Sequence, residues 1–163
     1  MYSIVIYLYI LCVRIASFFN TKARLLLHGH EEIFSTLRNA IRTNERYVWF
    51  HASSLGEFEQ GRPLIERLRS RHPEYKILLT FFSPSGYEVR KNYENADIVC
   101  YIPFDTPRNA RRFVRMVRPE KAFFIKYEFW KNMLDELRNA GTEIYSVSSI
   151  FRPDQIFFRP YAK

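Results

Sequence analysis

Cysteine is scarce in this sequence, and its scarcity excludes several classes of protein. Only two cysteines occur among 163 residues, Cys12 in an apolar amino-terminal run and Cys100 at the end of a predicted strand. Two such residues give neither a disulfide framework nor a zinc-ligand spacing. His28 and His30 flank a glycine but lack the pattern with cysteine that zinc sites show, so we interpret them as ordinary loop histidines. The sequence therefore predicts no metal site and fits a reducing compartment.

Negative charge is also in short supply. The chain has 17 acidic residues against 25 basic ones, which gives a formal charge of +8. An excess of this size indicates an anionic partner, such as nucleic acid, acidic lipid headgroups or a phosphorylated substrate. The basic residues are spread over several predicted helices, and no RNA-binding, zinc-finger or helix-turn-helix signature is present. A nucleic-acid-binding module therefore stays the weaker alternative, and we expect no specific nucleic-acid partner.

Long apolar runs are absent except at the amino terminus. Residues 1–19 carry one charge, Arg14, and the basic residues Lys22 and Arg24 follow. A length of about 17 to 20 residues is the lower limit for a spanning helix. No basic segment precedes the run and no small-residue cleavage site follows it, which argues against a signal peptide. We predict a membrane-anchor helix within residues 1–27, spanning the bilayer or lying at its interface, with a buried helix as the alternative.

The rest of the chain alternates between strand-like and helix-like segments. After a short polar helix over residues 31–42, strands are predicted at 47–51, 76–80, 98–102, 122–125 and 143–147. Helices are predicted between them at 57–70, 85–93, 107–117 and 129–140. Short apolar strands separated by such helices are typical of a parallel sheet with helices on both faces. We therefore predict an α/β fold, a Rossmann-like parallel sheet with flanking helices, over residues 28–163.

The predicted helix at 107–117 has two distinct faces. Its apolar face consists of Ala110, Phe113, Val114 and Val117, and its basic face consists of Arg108, Arg111, Arg112 and Arg115. Asp105 or Thr106 is the predicted cap, and Pro107 occupies the first turn. The arginine face has two interpretations, a seat for anionic lipid headgroups or a solvated helix surface.

Ligands of a parallel sheet collect at the carboxyl ends of its strands, so the loops there are the candidate site. The first loop contains Ser53, Ser54, Gly56 and Glu57. Small residues let a ligand approach the backbone, and a helix amino terminus offers N–H groups to an anion or a sugar oxygen. A substrate-binding loop with a reactive carboxylate is one reading. The other is an acidic first-turn residue that complements the helix dipole.

Two later loops carry further candidates. Ser83, Ser85 and Gly86 follow the second strand, and they indicate either a site for substrate hydroxyls or phosphate, or a capped turn. Lys126 and Glu128 follow the fourth strand directly, either at the mouth of the site or as a salt-bridged strand end.

Taken in order, these segments resemble the amino-terminal domain of Kdo (3-deoxy-D-manno-octulosonic acid) transferases. The resemblance rests on HASSLGE at 51–57, followed by Pro63-Leu-Ile, and on Leu78-Leu-Thr-Phe-Phe-Ser-Pro-Ser-Gly86 and Glu128-Phe-Trp130. It extends from about Trp49 to the end of the chain, through Ser148-Ser-Ile-Phe-Arg152 and Phe157-Phe-Arg-Pro-Tyr161.

The resemblance implies a two-domain GT-B glycosyltransferase at the cytoplasmic face of the inner membrane. This half would bind the lipid A precursor, and a carboxy-terminal domain, which we expect to be absent from this chain, would bind the donor CMP-Kdo. Glu57 matches the family's proposed catalytic base, in an inverting reaction that needs no metal or cofactor. We expect the chain alone to be inactive. A non-catalytic, membrane-bound fragment of such an enzyme is the alternative.

One position departs from the family's pattern. Many members carry Glu-x-Glu-x-Trp after the fourth strand, whereas this chain carries Lys126-Tyr-Glu-Phe-Trp130. No role of the first glutamate transfers to this chain. A lysine there is suited instead to an acceptor phosphate or a Kdo carboxylate, through charge-assisted hydrogen bonds.

Overall fold

The computed structural model describes residues 1–150, which form six helices and five strands. The predicted motif positions Phe151, Arg152 and 157–161 lie outside the described residues. The elements are α1 Tyr2–Ser17, α2 Thr21–Ala40, β1 Arg46–Ala52, α3 Leu55–Arg71, β2 Tyr75–Phe81, α4 Pro84–Arg90, β3 Ile98–Tyr101, α5 Pro107–Val117, β4 Lys121–Ile125, α6 Lys131–Asn139 and β5 Glu143–Val147.

The five strands form one parallel sheet in the order β3-β2-β1-β4-β5. The chain adds strands outward from β1 to β3, then returns to the other side of β1 with β4. The strand order therefore reverses between β1 and β4, and the crevice above their carboxyl ends is the point where α/β sheets bind ligands. The predicted parallel α/β fold is confirmed.

Alternating side chains of β1 show how the sheet is covered on both faces. Tyr47 and Trp49 join a buried cluster with apolar residues of α2, α5 and α6. Val48 and Phe50 join a second cluster, which includes Phe58 of α3. Because successive residues of a strand face opposite sides, an uninterrupted apolar run gives a strand that is buried on both faces.

The amino-terminal region is divided into helices differently from the prediction. Two helices replace the single anchor and the later short helix, because Asn20 accepts hydrogen bonds from the backbone N–H groups of Lys22 and Ala23 and so starts α2. Residue 27 lies within α2, whose carboxy-terminal part packs into the core. No helix of residues 1–150 is long and apolar enough to cross a bilayer. The membrane anchor therefore stays a prediction.

Helix α2 also corrects the interpretation of His28 and His30 as loop residues. His28 is exposed, with its Nδ1 atom 3.2 Å from the Glu32 carboxylate one turn later. His30 is buried and stacks on the Phe104 ring at 4.1 Å between centroids. Burial lowers the pKa of His30 to about 3. Among residues 1–150 there is no group of three or more potential metal-ligating side chains.

The two candidate caps before α5 serve different helices. Thr106 accepts from the N–H of Asn109 and caps α5. Asp105 is buried, and its carboxylate accepts from the N–H groups of Asn132 and Met133 at 3.0 and 2.9 Å. It therefore caps α6, whose own preceding residue supplies no side-chain cap. Asp105 also accepts from the Tyr2 hydroxyl at 2.7 Å, which ties α1 to the carboxyl end of the sheet.

Candidate active site between β1 and β4

The loop after β1 holds the Glu57 carboxylate in place. Glu57 lies in the first turn of α3, and its Oε2 atom accepts from the backbone N–H groups of Ser53 at 2.6 Å and Ser54 at 3.2 Å. The acidic first-turn role that the sequence left open is therefore real. It also fixes the carboxylate at the edge of the crevice, where the side chain is only partly buried. The two readings of Glu57 are compatible.

The surroundings of Glu57 are unfavourable to its charge. Burial and the nearby carboxylate of Glu128 raise the pKa of Glu57, although the N–H groups of Ser53 and Ser54 and the nearby His51 ring act in the opposite direction. A carboxylate held partly out of water, with its charge incompletely compensated, is suited to accepting a proton.

Gly56 and Gly86 have glycine for different reasons. A Cβ atom on Gly56 would meet nothing within 4 Å, so no packing requirement explains this glycine beside Glu57. A Cβ on Gly86 would lie 2.4 Å from the Phe81 ring, so glycine is needed there for packing. Gly56 therefore leaves open surface at the crevice, and Gly86 lets the backbone of α4 pack closely against Phe81.

The loop after β2 adjoins the first loop. The N–H of Ser83 donates to the carbonyl of Ser53 at 2.8 Å. The Ser83 hydroxyl lies 2.8 Å from the Ser85 hydroxyl and accepts from the Ser85 N–H, so Ser83 caps α4. The capped-turn reading is thus correct, and a role in binding substrate stays a prediction.

The loop after β4 brings the other candidates to the opposite side of the crevice. Lys126 has a positive φ of 62°, a strained conformation for a residue with a side chain. Its N–H donates to Val147, and its carbonyl accepts from the Ser149 hydroxyl at 2.6 Å. The Glu128 carboxylate accepts from the Trp130 indole N–H at 2.9 Å. Glu128 is thus paired within its own loop.

His51 was not among the predicted site residues. It is the second-last residue of β1, and its side chain is fully buried. Its Nε2 atom lies 3.2 Å from the Trp130 indole nitrogen and 3.4 Å from the Glu128 carboxylate, which joins the two sides of the crevice. The sequence does contain a sign of this role. His51 is a titratable residue that lies on the same face of the strand as the core residues Tyr47 and Trp49.

The arginine face of α5 lies outside this crevice. Arg111 pairs with Glu136 at 3.2 Å, and Arg112 stacks over the Phe34 ring at 4.1 Å. Arg115 lines a cleft of about 460 Å³ near the amino end of β4, at the opposite edge of the sheet. Arg108 is exposed in the first turn of α5. Two of the four arginines therefore contact other side chains of the protein, and the headgroup seat stays a prediction.

The family is decided by a sequence profile. The profile of the family described as "3-Deoxy-D-manno-octulosonic-acid transferase (kdotransferase)" matches residues 28–161. The chain belongs to the Kdo transferase family. The match covers all three loops of the crevice, and it confirms the resemblance found in the motifs.

Curated Kdo transferases also show similarity to part of this chain. The 3-deoxy-D-manno-octulosonic acid transferase of Haemophilus influenzae is 31% identical over 91 residues, which cover 55% of this chain and 21% of that protein. Those of Aquifex aeolicus and Chlamydia trachomatis serovar D are 29% and 28% identical, over 60% and 62% of this chain and 27% and 24% of theirs. The matched part of this chain thus corresponds to about a quarter of each relative.

Proposed function

We propose that this chain supplies the acceptor-binding half, with the catalytic base, of a glycosyltransferase that moves Kdo from CMP-Kdo to a lipid A precursor. The observation that carries the proposal is the position of Glu57 at the reversal point of the sheet, opposite Glu128 and beside the open surface at Gly56. The relatives' printed activity, Kdo transfer, gives the reaction its class. The donor would bind mainly to a carboxy-terminal domain beyond these residues.

In this proposal Glu57 acts as a general base. Its Oε2 atom is engaged with the Ser53 and Ser54 N–H groups, which leaves Oε1 to accept a proton from an acceptor hydroxyl. The hydroxyl oxygen then attacks the anomeric carbon of Kdo while CMP leaves from the opposite side, which inverts that centre. General-base catalysis of this kind contributes about two to four powers of ten in rate, and the step requires no metal or cofactor.

Lys126 is proposed to bind an acceptor phosphate or a Kdo carboxylate. We expect Lys126→Ala to weaken precursor binding about tenfold without unfolding the domain, because a charge-assisted hydrogen bond is lost. Titration calorimetry with the precursor in detergent measures this effect. Lys131→Ala, which removes an exposed lysine of α6 that is paired with Asp135, is the matched control and should bind normally. Equal affinities of the two variants for the precursor would show that Lys126 does not bind it.

Helix α1 is proposed to hold the protein at the cytoplasmic face of the inner membrane by lying in the interface. One side packs through Val13 onto the aromatic cluster with Tyr101 and Phe104. The other side is apolar and exposed over Ile4, Val5, Tyr7, Leu8, Leu11 and Ile15, and Phe18 and Phe19 follow it. Basic residues beside an exposed apolar face favour anionic lipid surfaces. Arg108 and Arg115 of α5 are the proposed additional headgroup contacts.

Vesicle flotation tests this placement. The wild-type chain is expected to float with vesicles that contain anionic lipid and to float less with neutral ones. The double variant Leu8→Glu/Leu11→Glu should lose most of the vesicle-bound fraction, because charged side chains replace the apolar surface that α1 would bury in the bilayer. Val89→Glu, which changes an exposed apolar residue of α4, is the control. Unchanged flotation of the double variant would refute the placement of α1.

The proposed function as a whole is tested with the lipid A precursor and CMP-Kdo in detergent. We expect the chain to bind the precursor and to show no transfer until a donor-binding half is supplied. Transfer by the chain alone would contradict the division of labour between two halves. Absence of both binding and transfer would favour the non-catalytic fragment.

A further inference from the structure

A continuous line of polar contacts runs from the middle of the sheet to the crevice, and His51 is its central member. At its inner end the Trp49 indole N–H donates to the Thr80 hydroxyl at 2.8 Å. That hydroxyl lies 2.9 Å from His51 Nδ1, and the Thr80 carbonyl lies 3.2 Å from the same atom. Thr80 and His51 are both fully buried. The ring is therefore fixed on its Nδ1 side by β2, the neighbouring strand.

The other ring nitrogen faces the loop after β4. His51 Nε2, the Trp130 indole nitrogen and a Glu128 carboxylate oxygen form a triangle with edges of 3.2, 2.9 and 3.4 Å. The indole carries a single hydrogen, which both His51 Nε2 and the carboxylate are placed to accept. The position of the imidazole thus decides how Trp130 and Glu128 are held.

The loop that these contacts hold also packs against the core through Trp130, whose ring lies 5.0 Å from that of Phe82. Glu128 and Trp130 lie between the end of β4 and the start of α6, and both are only partly buried. Lys126, just before them, has the strained backbone of positive φ. Because a buried polar group must be paired, a buried imidazole with a partner on each ring nitrogen is a rigid connection between the sheet and this loop.

We propose that His51 is a positioning residue of the transfer site, which fixes Trp130 and Glu128 across the crevice from Glu57 through its Nε2 atom while Thr80 holds its Nδ1 atom. This inference rests on the proposed function and goes further, since it gives a buried residue of β1 control over the β4 side of the acceptor site. His51 itself does not touch the acceptor.

Two substitutions separate the two ring nitrogens. In His51→Asn the shorter amide reaches the position of Nδ1 and keeps the contact with Thr80, but leaves the Nε2 position empty. In His51→Gln the longer amide reaches the Nε2 position and again accepts from Trp130. The chain has only two tryptophans, so the two indole N–H resonances in a nitrogen–proton NMR spectrum report on Trp49 and Trp130 separately.

In the full chain, His51→Asn is expected to shift the Trp130 indole resonance, to leave that of Trp49 near its original position, and to weaken precursor binding roughly five- to tenfold. His51→Gln should restore binding to within about twofold. If His51 only stabilised the fold, its substitution would not shift the Trp130 resonance selectively. The asparagine variant would then not bind the precursor more weakly than the glutamine variant. If His51→Asn is folded and both its Trp130 resonance and its affinity match the wild type, the proposal is wrong.

Trp130→Phe tests the same connection from the exposed side, should the asparagine variant fail to fold. It removes the indole hydrogen and keeps an aromatic ring next to Phe82. We expect a similar loss of affinity, and wild-type affinity would overturn the proposal. The test also distinguishes this inference from the proposed function. Absence of precursor binding by the wild-type chain would refute the function, and the Trp130 resonance in the His51 variants would still decide whether His51 holds this loop.

Discussion

Glu57→Gln is expected to lower Kdo transfer by about two to four powers of ten, because a carboxamide cannot accept the proton of the acceptor hydroxyl. The carboxamide oxygen still accepts from the Ser53 and Ser54 N–H groups, so the turn of α3 should persist and precursor binding should stay within about threefold. The measurement is an initial-rate transfer assay with this chain fused to a donor-binding half that restores transfer.

Glu59→Gln is the matched control for this prediction. Glu59 lies two residues further along α3 and pairs with Arg90 at 2.6 Å, so its replacement should leave the transfer rate within about twofold. If the Glu57→Gln fusion transfers Kdo at the rate of the unchanged fusion, Glu57 is not the catalytic base.

The same substitution has an expected effect on stability. Burial raises the pKa of Glu57 above its ordinary value of 4.5, so the folded state loses stability as the carboxyl ionises. Glutamine does not ionise. The free energy of unfolding of the wild type relative to Glu57→Gln should therefore fall as the pH rises from about 3 to 7. Urea unfolding at the two pH values measures this difference, and a change of the opposite sign would contradict the raised pKa.

Asp105→Ala is expected to lower the free energy of unfolding by about 3 kcal/mol. The substitution leaves the buried N–H groups of Asn132 and Met133 without their acceptor, removes the cap of α6, and frees the Tyr2 hydroxyl. For a chain of this length such a loss lowers the melting temperature by roughly 10 °C. Urea unfolding followed by circular dichroism gives the value.

Two controls divide this effect into its parts. Tyr2→Phe removes only the bond to α1 and should cost about 1 kcal/mol. Asp135→Ala removes an exposed carboxylate of α6 that is paired with Lys131, and should change stability by less than about 0.5 kcal/mol. A cost for Asp105→Ala no larger than that of Tyr2→Phe would show that Asp105 does not cap α6.

Local signals in the sequence predict most of the fold. Helix α5 has its predicted bounds because Thr106 and Pro107 start it and Pro119 follows its end. Strand β5 also has its predicted bounds, and the other strands differ by one residue at one or both ends. The break between α1 and α2 was missed because it contains neither proline nor glycine. Asn20 alone marks the start of the second helix.

The candidate site depends both on contacts between residues close in the sequence and on contacts between distant ones, and only the former were predictable. The position of the Glu57 carboxylate was predictable, since its two hydrogen bonds join residues at most four positions apart. The contact of His51 with Trp130 joins residues 79 positions apart, and the cap that Asp105 provides for α6 spans 27. Such contacts depend on the order of strands in the sheet, which periodicity does not specify. The connections across the crevice therefore became visible only in the structure.

The central claim is that the lipid A precursor binds over the crevice between β1 and β4. The most direct measurement is a titration of the isotope-labelled chain with the precursor in detergent micelles, followed by the backbone amide resonances. The account predicts perturbations at residues 53–57 and 126–130 that saturate together, and in Lys126→Ala the same perturbations should saturate at about tenfold higher precursor concentration. Perturbations confined to α1 and α5, with the crevice unchanged, would contradict it.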